Sequence, residues 1–157
     1  MDRGNRDAKW CVGCTLLGVI SLGQLWIISV KGAVPHSACF FAFTEVTYAD
    51  GWLGFGPAKH RSPGWPRATP GKLFTDDETY RLNHGIVFEI PDARLLLARK
   101  TVFAAYRVKE YKVGVCDCVS FTADVARKCS LGVPLINFTP YGLIEILAVW
   151  NKYDRKW

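Results

Sequence analysis

The twenty residues from Cys11 to Val30, CVGCTLLGVISLGQLWIISV, carry no charge. Such a run has to leave water, and few structures let it do so. It can span a bilayer, form the apolar heart of an export signal, or be buried as a helix or hairpin followed by a strand. Gly13, Gly18, Gly23 and Gln24 weaken a spanning helix, and LWIISV is rich in strand formers. Ser21 and Gly23 flank Leu22 in the small-x-small pattern of a cleavage site. Residues 1–23 are therefore read as an apolar extension or signal segment, and 24–157 as the folded domain. An exported or envelope (periplasmic) location stays open beside burial within the fold.

The chain has 157 residues, enough for one domain with a substantial core. Half of its residues are hydrophobic and 13% are aromatic, which argues against disorder. The net charge of +6 suits anionic lipid, cell wall or nucleic acid. However, no stretch packs five or six basic residues together, and no nucleic-acid motif is present, so nucleic acid is not an expected partner. Six cysteines are enough for three disulfides. Cys39 in SACFFAF and Cys129 in VARKCSLG instead read as small buried hydrophobes.

Punctuation divides the rest. Leu25–Val30 reads as a strand, KGAVP as a turn, and His36–Val46 as a strand buried on both faces. YADG forms a turn, and WLGFG is a third strand ended by Pro57. From Ala58 to Gly71, Pro63, Pro66 and Pro70 with Gly64 and Gly71 predict a long loop, a candidate lid carrying His60, Trp65 and Arg67. Asp76, Asp77 and Glu78 lack regular ligand spacing and read as a solvated turn rather than a metal site. GIVFEI is a strand, and Asp92 caps a helix running to about Lys109. Lys112–Val115 is short and β-like. Helices follow over Cys118–Cys129 and from Pro140. Strands first and helices later predict an α+β fold with a mainly antiparallel sheet packed on helices.

Chemistry concentrates in YKVGVCDCVSFTADVARKC. Cys118 follows Asp117, a helix-capping residue type, and opens a helical run. The unpaired N–H groups and dipole of a first turn favour a thiolate. A nucleophile also needs a base, and His36 stands at the head of an apolar strand, where an unpaired ring is costly. A core thiol and a strand-edge histidine would explain the same residues. Cys11-x-x-Cys14 and Cys116-x-Cys118 together offer a structural zinc held by four thiolates, although the second pair has the wrong spacing for a knuckle.

The order of features adds a resemblance. A histidine opens a strand in VPHSACFFAFTEVTYADGWLGFGP, and the acidic turn PGKLFTDDETY follows. Much later comes YKVGVCDCVSFTADVARKCSLGVP. From about Leu25 to Pro140 the chain resembles the circularly permuted branch of the NlpC-type papain-like cysteine hydrolases, which includes the lecithin retinol acyltransferase-like enzymes. The resemblance implies a permuted papain-like fold, Cys118 as nucleophile, His36 as general base, and no cofactor or metal. Relatives often have Asn where Asp117 stands, and Cys116 falls outside the motif, either incidental or a resolving thiol. The residue that usually orients the histidine corresponds to Gly54, which has no side chain, leaving Glu45, Tyr48, a carbonyl or water for that role. The implied reaction is acyl transfer, with the Cys118 N–H as an oxyanion donor. Implied substrates are cell-wall peptide amides, with lipid acyl esters as the alternative. If the chain is an effector toxin, held in the cytoplasm before delivery, an immunity protein becomes an implied partner. A catalytically inactive binding scaffold is the remaining reading.

Overall fold

The computed structural model describes residues 20–32, 35–59, 67–75, 84–136 and 139–157. The strands are β1 (Leu22–Val30), β2 (His36–Ala42), β3 (Gly51–Pro57), β4 (Thr69–Phe74), β5 (His84–Pro91), β6 (Glu110–Tyr111) and β7 (Arg155–Lys156). The helices are α1 (Asp92–Tyr106), α2 (Cys118–Lys128) and α3 (Pro140–Trp150). The strands form one sheet in the order β6-β4-β3-β2-β1-β5-β7. Every pairing between these strands is antiparallel. The expected α+β class with an antiparallel sheet is therefore observed.

β1 is the fulcrum. Its residues pair with β2 on one side and β5 on the other, from Leu22↔Pro91 to Val30↔His36. The second half of the uncharged run is thus a strand inside a sheet, not part of a spanning helix. No helix among the described residues is long and apolar enough to cross a membrane. Cys11 and Cys14 lie outside the described residues, and the four-thiolate zinc reading with them. Among the described residues no three His, Cys, Asp or Glu side chains gather around a metal-sized space.

Strand alternation sorts the core into two layers. Leu25, Ile27, Cys39, Phe41, Leu53, Phe55, Ile86 and Phe88 pack with Leu95, Val102, Phe121, Ala123, Leu143 and Leu147 of the helices. The intervening positions Ile28, Val30, Ala38 and Trp52 form a smaller cluster on the other face, joined by Phe40 and Trp157. Phe121 centres the larger layer, edge-on to Tyr106 at 5.1 Å and stacked with Phe55 at 6.4 Å. On the other face Trp26 meets Phe40 and Trp157 edge-on, at 5.6 and 5.9 Å.

Several expected boundaries move for identifiable reasons. β2 ends at Ala42 rather than Val46. Beyond it carboxylates take the backbone donors: Asp50 accepts from Phe43 N–H at 2.8 Å, and Asp92 accepts from Glu45 N–H at 2.7 Å. Asp92 is accordingly not the cap of α1. Pro91 holds that position without a side-chain hydrogen bond, and the helix stops at Tyr106, short of Lys109. The loop predicted to reach Gly71 gives way at Thr69 to β4, whose Gly71 pairs with Pro57. Gly71 is a close-approach glycine, since a Cβ there would meet the Phe55 ring and lie 2.6 Å from the Lys109 carbonyl. The segment Lys112–Val115, expected to be β-like, is a tight reversal. Lys112 and Cys116 exchange backbone hydrogen bonds of 2.8 Å, and Gly114 turns the chain at φ 74°. The acidic triplet Asp76, Asp77, Glu78 lies outside the described residues.

Candidate functional site

α2 begins where its sequence predicts. Asp117 Oδ1 accepts from Ser120 N–H at 2.9 Å and from the Ser120 hydroxyl at 3.0 Å. Its Oδ2 accepts from Gly114 N–H at 2.7 Å, so one carboxylate caps the helix and holds the preceding reversal. This fixes Cys118 as the first helical residue. The backbone of Ser37 and the Tyr111 hydroxyl lie near its sulfur and favour the thiolate. Ser37 Oγ in turn meets Thr122 Oγ1 at 3.1 Å and donates to the Ile28 carbonyl at 3.0 Å. The helix start is therefore docked on the first residues of β2, one position from His36.

The imidazole takes the other direction. Ser37 faces α2, so alternation turns its neighbour His36 to the opposite face of the sheet. There His36 Nε2 lies 3.2 Å from where a Cβ on Gly54 would stand, with Ala38 Cβ at 3.5 Å from the same point. Gly54 pairs with Ala38 and is the last β3 residue paired to β2. The position matched to the histidine's orienting residue is thus beside the ring, and it is empty of side chain. Glu45 and Tyr48 do not fill that role. They lie beyond the far end of β2, roughly 20 Å of extended strand from His36. There they border a separate cavity of about 320 Å³ with Pro91 and Asp92. Arg67 is exposed just before β4, while His60 and Trp65 lie outside the described residues.

Burial decides the state of the sulfur. Cys118 is only 4% exposed, and desolvation pushes its thiol up to about 11. The Ser37 backbone and the Tyr111 hydroxyl pull downward, and the Asp117 carboxylate pushes further up. A first-turn position was expected to favour the thiolate, yet here desolvation outweighs the helix terminus. Cys39 and Cys129, read from the sequence as core residues, are 0% and 3% exposed. Burial likewise raises both thiols, Cys129 to about 12.

His84, the residue before the GIVFEI run, opens β5 on the same face as Ser37, in the cross-strand row Ser37–Ser29–His84. Its Nε2 contacts Glu145 Oε1 at 2.9 Å, its ring stacks on Tyr141 at 4.4 Å, and Lys156 reaches Glu145 Oε2 at 2.6 Å. Lys156 first, and then His84, hold the Glu145 carboxyl below the ordinary range. Two strand spacings, about 10 Å, separate the backbones of Ser37 and His84, so this imidazole is fixed by Glu145 and not by the sulfur. The signal that could have placed it is GIVFEI itself: extending that strand by one residue puts position 84 on the helix-covered face.

No family model, no curated protein and no solved structure matches this chain.

Proposed function

We propose that the chain is a thiol-dependent acyl-bond hydrolase on a permuted papain-like scaffold, with cell-wall peptide amides as its substrate class. Cys118 serves as nucleophile and His36 as base. One observation carries the reading: the Asp117-capped start of α2 docks on Ser37 through Thr122, next to the histidine that opens β2. The pairing of β2 with β3 ends at Ala38↔Gly54, so the two strands part beside both groups. In this reading the resting enzyme holds a protonated sulfur, and catalysis requires the first residue of β2 to turn its imidazole from the Gly54 face of the sheet to the sulfur side. The imidazole then takes the thiol proton as sulfur attacks the carbonyl carbon. The imidazolium returns that proton to the leaving amine, and water attacks the acyl-enzyme with the same base. An exported or envelope location and, for an effector, an inhibitory partner protein belong to the same proposal.

A second reading, a scaffold with a silent thiol, is favoured by the burial of Cys118 and by the imidazole lying across the sheet. Incubating the wild type and Cys118→Ala with peptidoglycan sacculi and with phospholipid vesicles separates the two. Stem-peptide cleavage lost in the variant supports the amidase. Fatty-acid release lost in the variant moves the substrate to lipid. Equal products from both proteins, or none, leave the silent scaffold standing and end the enzyme reading.

A further inference from the structure

Cys116 differs from the other three described cysteines in being only partly buried. It lies in the wall of a cavity of about 540 Å³ that is separate from the Cys118 sulfur and is also lined by Lys109, Ser120, Asp124, Arg127 and Leu135. The charges in that wall are unequally committed. Arg127 is taken up by Asp124 Oδ1 at 2.8 Å and by the Pro134 carbonyl at 2.6 Å. The second Asp124 oxygen accepts from the Tyr106 hydroxyl at 2.8 Å. Lys109, by contrast, lies over the Tyr106 ring at 3.8 Å, and no carboxylate among the described residues pairs with it. Among the described residues its ammonium meets a ring rather than a carboxylate, next to a thiol and to the exposed apolar side chains of Val115, Leu135 and Ile136.

We propose that this cavity is a modification site at which Cys116 reacts with small anionic disulfides, the Lys109 ammonium selecting their charge. The thiol loses its proton to solvent and the thiolate attacks one sulfur of the disulfide. The disulfide S–S bond breaks, a mixed disulfide forms on Cys116, and the other half leaves as a thiolate with the bonding electrons. The inference is independent of any role for Cys118, because the two sulfurs face different surroundings. Burial raises the Cys116 thiol while Lys109 opposes that rise, so removing the lysine slows the reaction on both counts.

The test uses the full chain carrying Cys118→Ala and two probes of one chemistry, the dianionic 5,5′-dithiobis(2-nitrobenzoate) and the neutral 2,2′-dithiodipyridine. Modification of Cys116 is followed by peptide mapping against time. The expected result is that Cys116 reacts before Cys39 and Cys129 and favours the anionic probe. That preference should fall about five- to tenfold in Lys109→Met and persist in Lys109→Arg. A variant that merely loosened the fold would speed both probes and expose Cys39 and Cys129 as well. The proposal is overturned if Cys116 reacts no faster than those buried thiols, or if the anionic preference is the same with Lys109→Met.

Discussion

The two faces of the sheet are built from the same strands and are covered differently. On one, three helices seal a layer in which Phe121, Phe55, Phe88 and Leu95 are essentially inaccessible. On the other, four buried residues are joined by the partly buried rings of Phe40 and Trp157. β2 supplies both faces from alternate positions, sending Ser37 to the helices and His36 away from them. The difference teaches that adjacency along a strand does not mean adjacency in a site. A sulfur can rest against the backbone of residue 37 while the side chain of residue 36 lies beyond the sheet.

The sharpest way to break that comparison is to truncate one ring in each layer. Phe121→Ala removes a fully buried ring and should cost about 3–5 kcal/mol in urea unfolding, whereas Trp157→Ala, whose ring is only partly buried, should cost about 1–2 kcal/mol. Equal losses would mean that the second face is as tightly sealed as the first.

Alkaline pH tests the helix-covered face next, because Cys39, Cys118 and Cys129 all belong to its core. The fold keeps these thiols protonated above their ordinary value, so the unfolded chain releases protons first. Their contribution is complete below about pH 8.5 and is lost as pH rises toward the values of about 11 and 12 that Cys118 and Cys129 reach in the fold. Each thiol should remove up to ~1.4 kcal/mol per pH unit in that window. A urea midpoint independent of pH between 8 and 10 would show that these sulfurs are not sealed. Over the same range, iodoacetamide should label Cys118 slowly at neutral pH and roughly tenfold faster for each unit of rise.

Smaller effects test the docking of α2. Asp117→Ala removes the cap and the clamp on Gly114, and should cost about 1–2 kcal/mol. If the cap positions Cys118 on β2, iodoacetamide should also reach this thiol faster in that variant. The smallest change lies at the other end of the helix. Ser130 sits at φ 64° just after the α2 cap, so Ser130→Gly should stabilise by about 0.5–1 kcal/mol, read as a raised midpoint. A loss there would mean that the Ser130 side chain contributes more than its backbone strain removes.

Much of this architecture can be read from residue order. Asp117 before an apolar-periodic run and Pro140 before another mark two helix starts; Asp117 caps the first as its sequence predicts, and Thr139 adds a cap to the second. GIVFEI and WLGFG announce strands through their apolar density. β4 stays hidden because Pro70 and Gly71 look like loop residues, and only the partners, Phe55 and the Lys109 carbonyl, make a glycine necessary. β6 and β7 are too short for any periodicity to register. The site is harder to read than the fold. The resemblance implies that Cys118 and His36 share a site; α2 docks on the first residues of β2, but the two side chains lie on opposite faces of the sheet. Which face each side chain occupies depends on register, and whether a first-turn thiol ionises depends on burial. Both are properties of the assembled sheet.

The outermost strands have a consequence for the behaviour of the protein in concentrated solution. Each margin of the sheet closes with a two-residue strand, Glu110–Tyr111 on one side and Arg155–Lys156 on the other. Segments so short, and charged, give a neighbouring molecule little backbone to zip onto. The long apolar strands that would nucleate fibrils sit inward of these guards, so growth by strand addition requires the guards to peel away first.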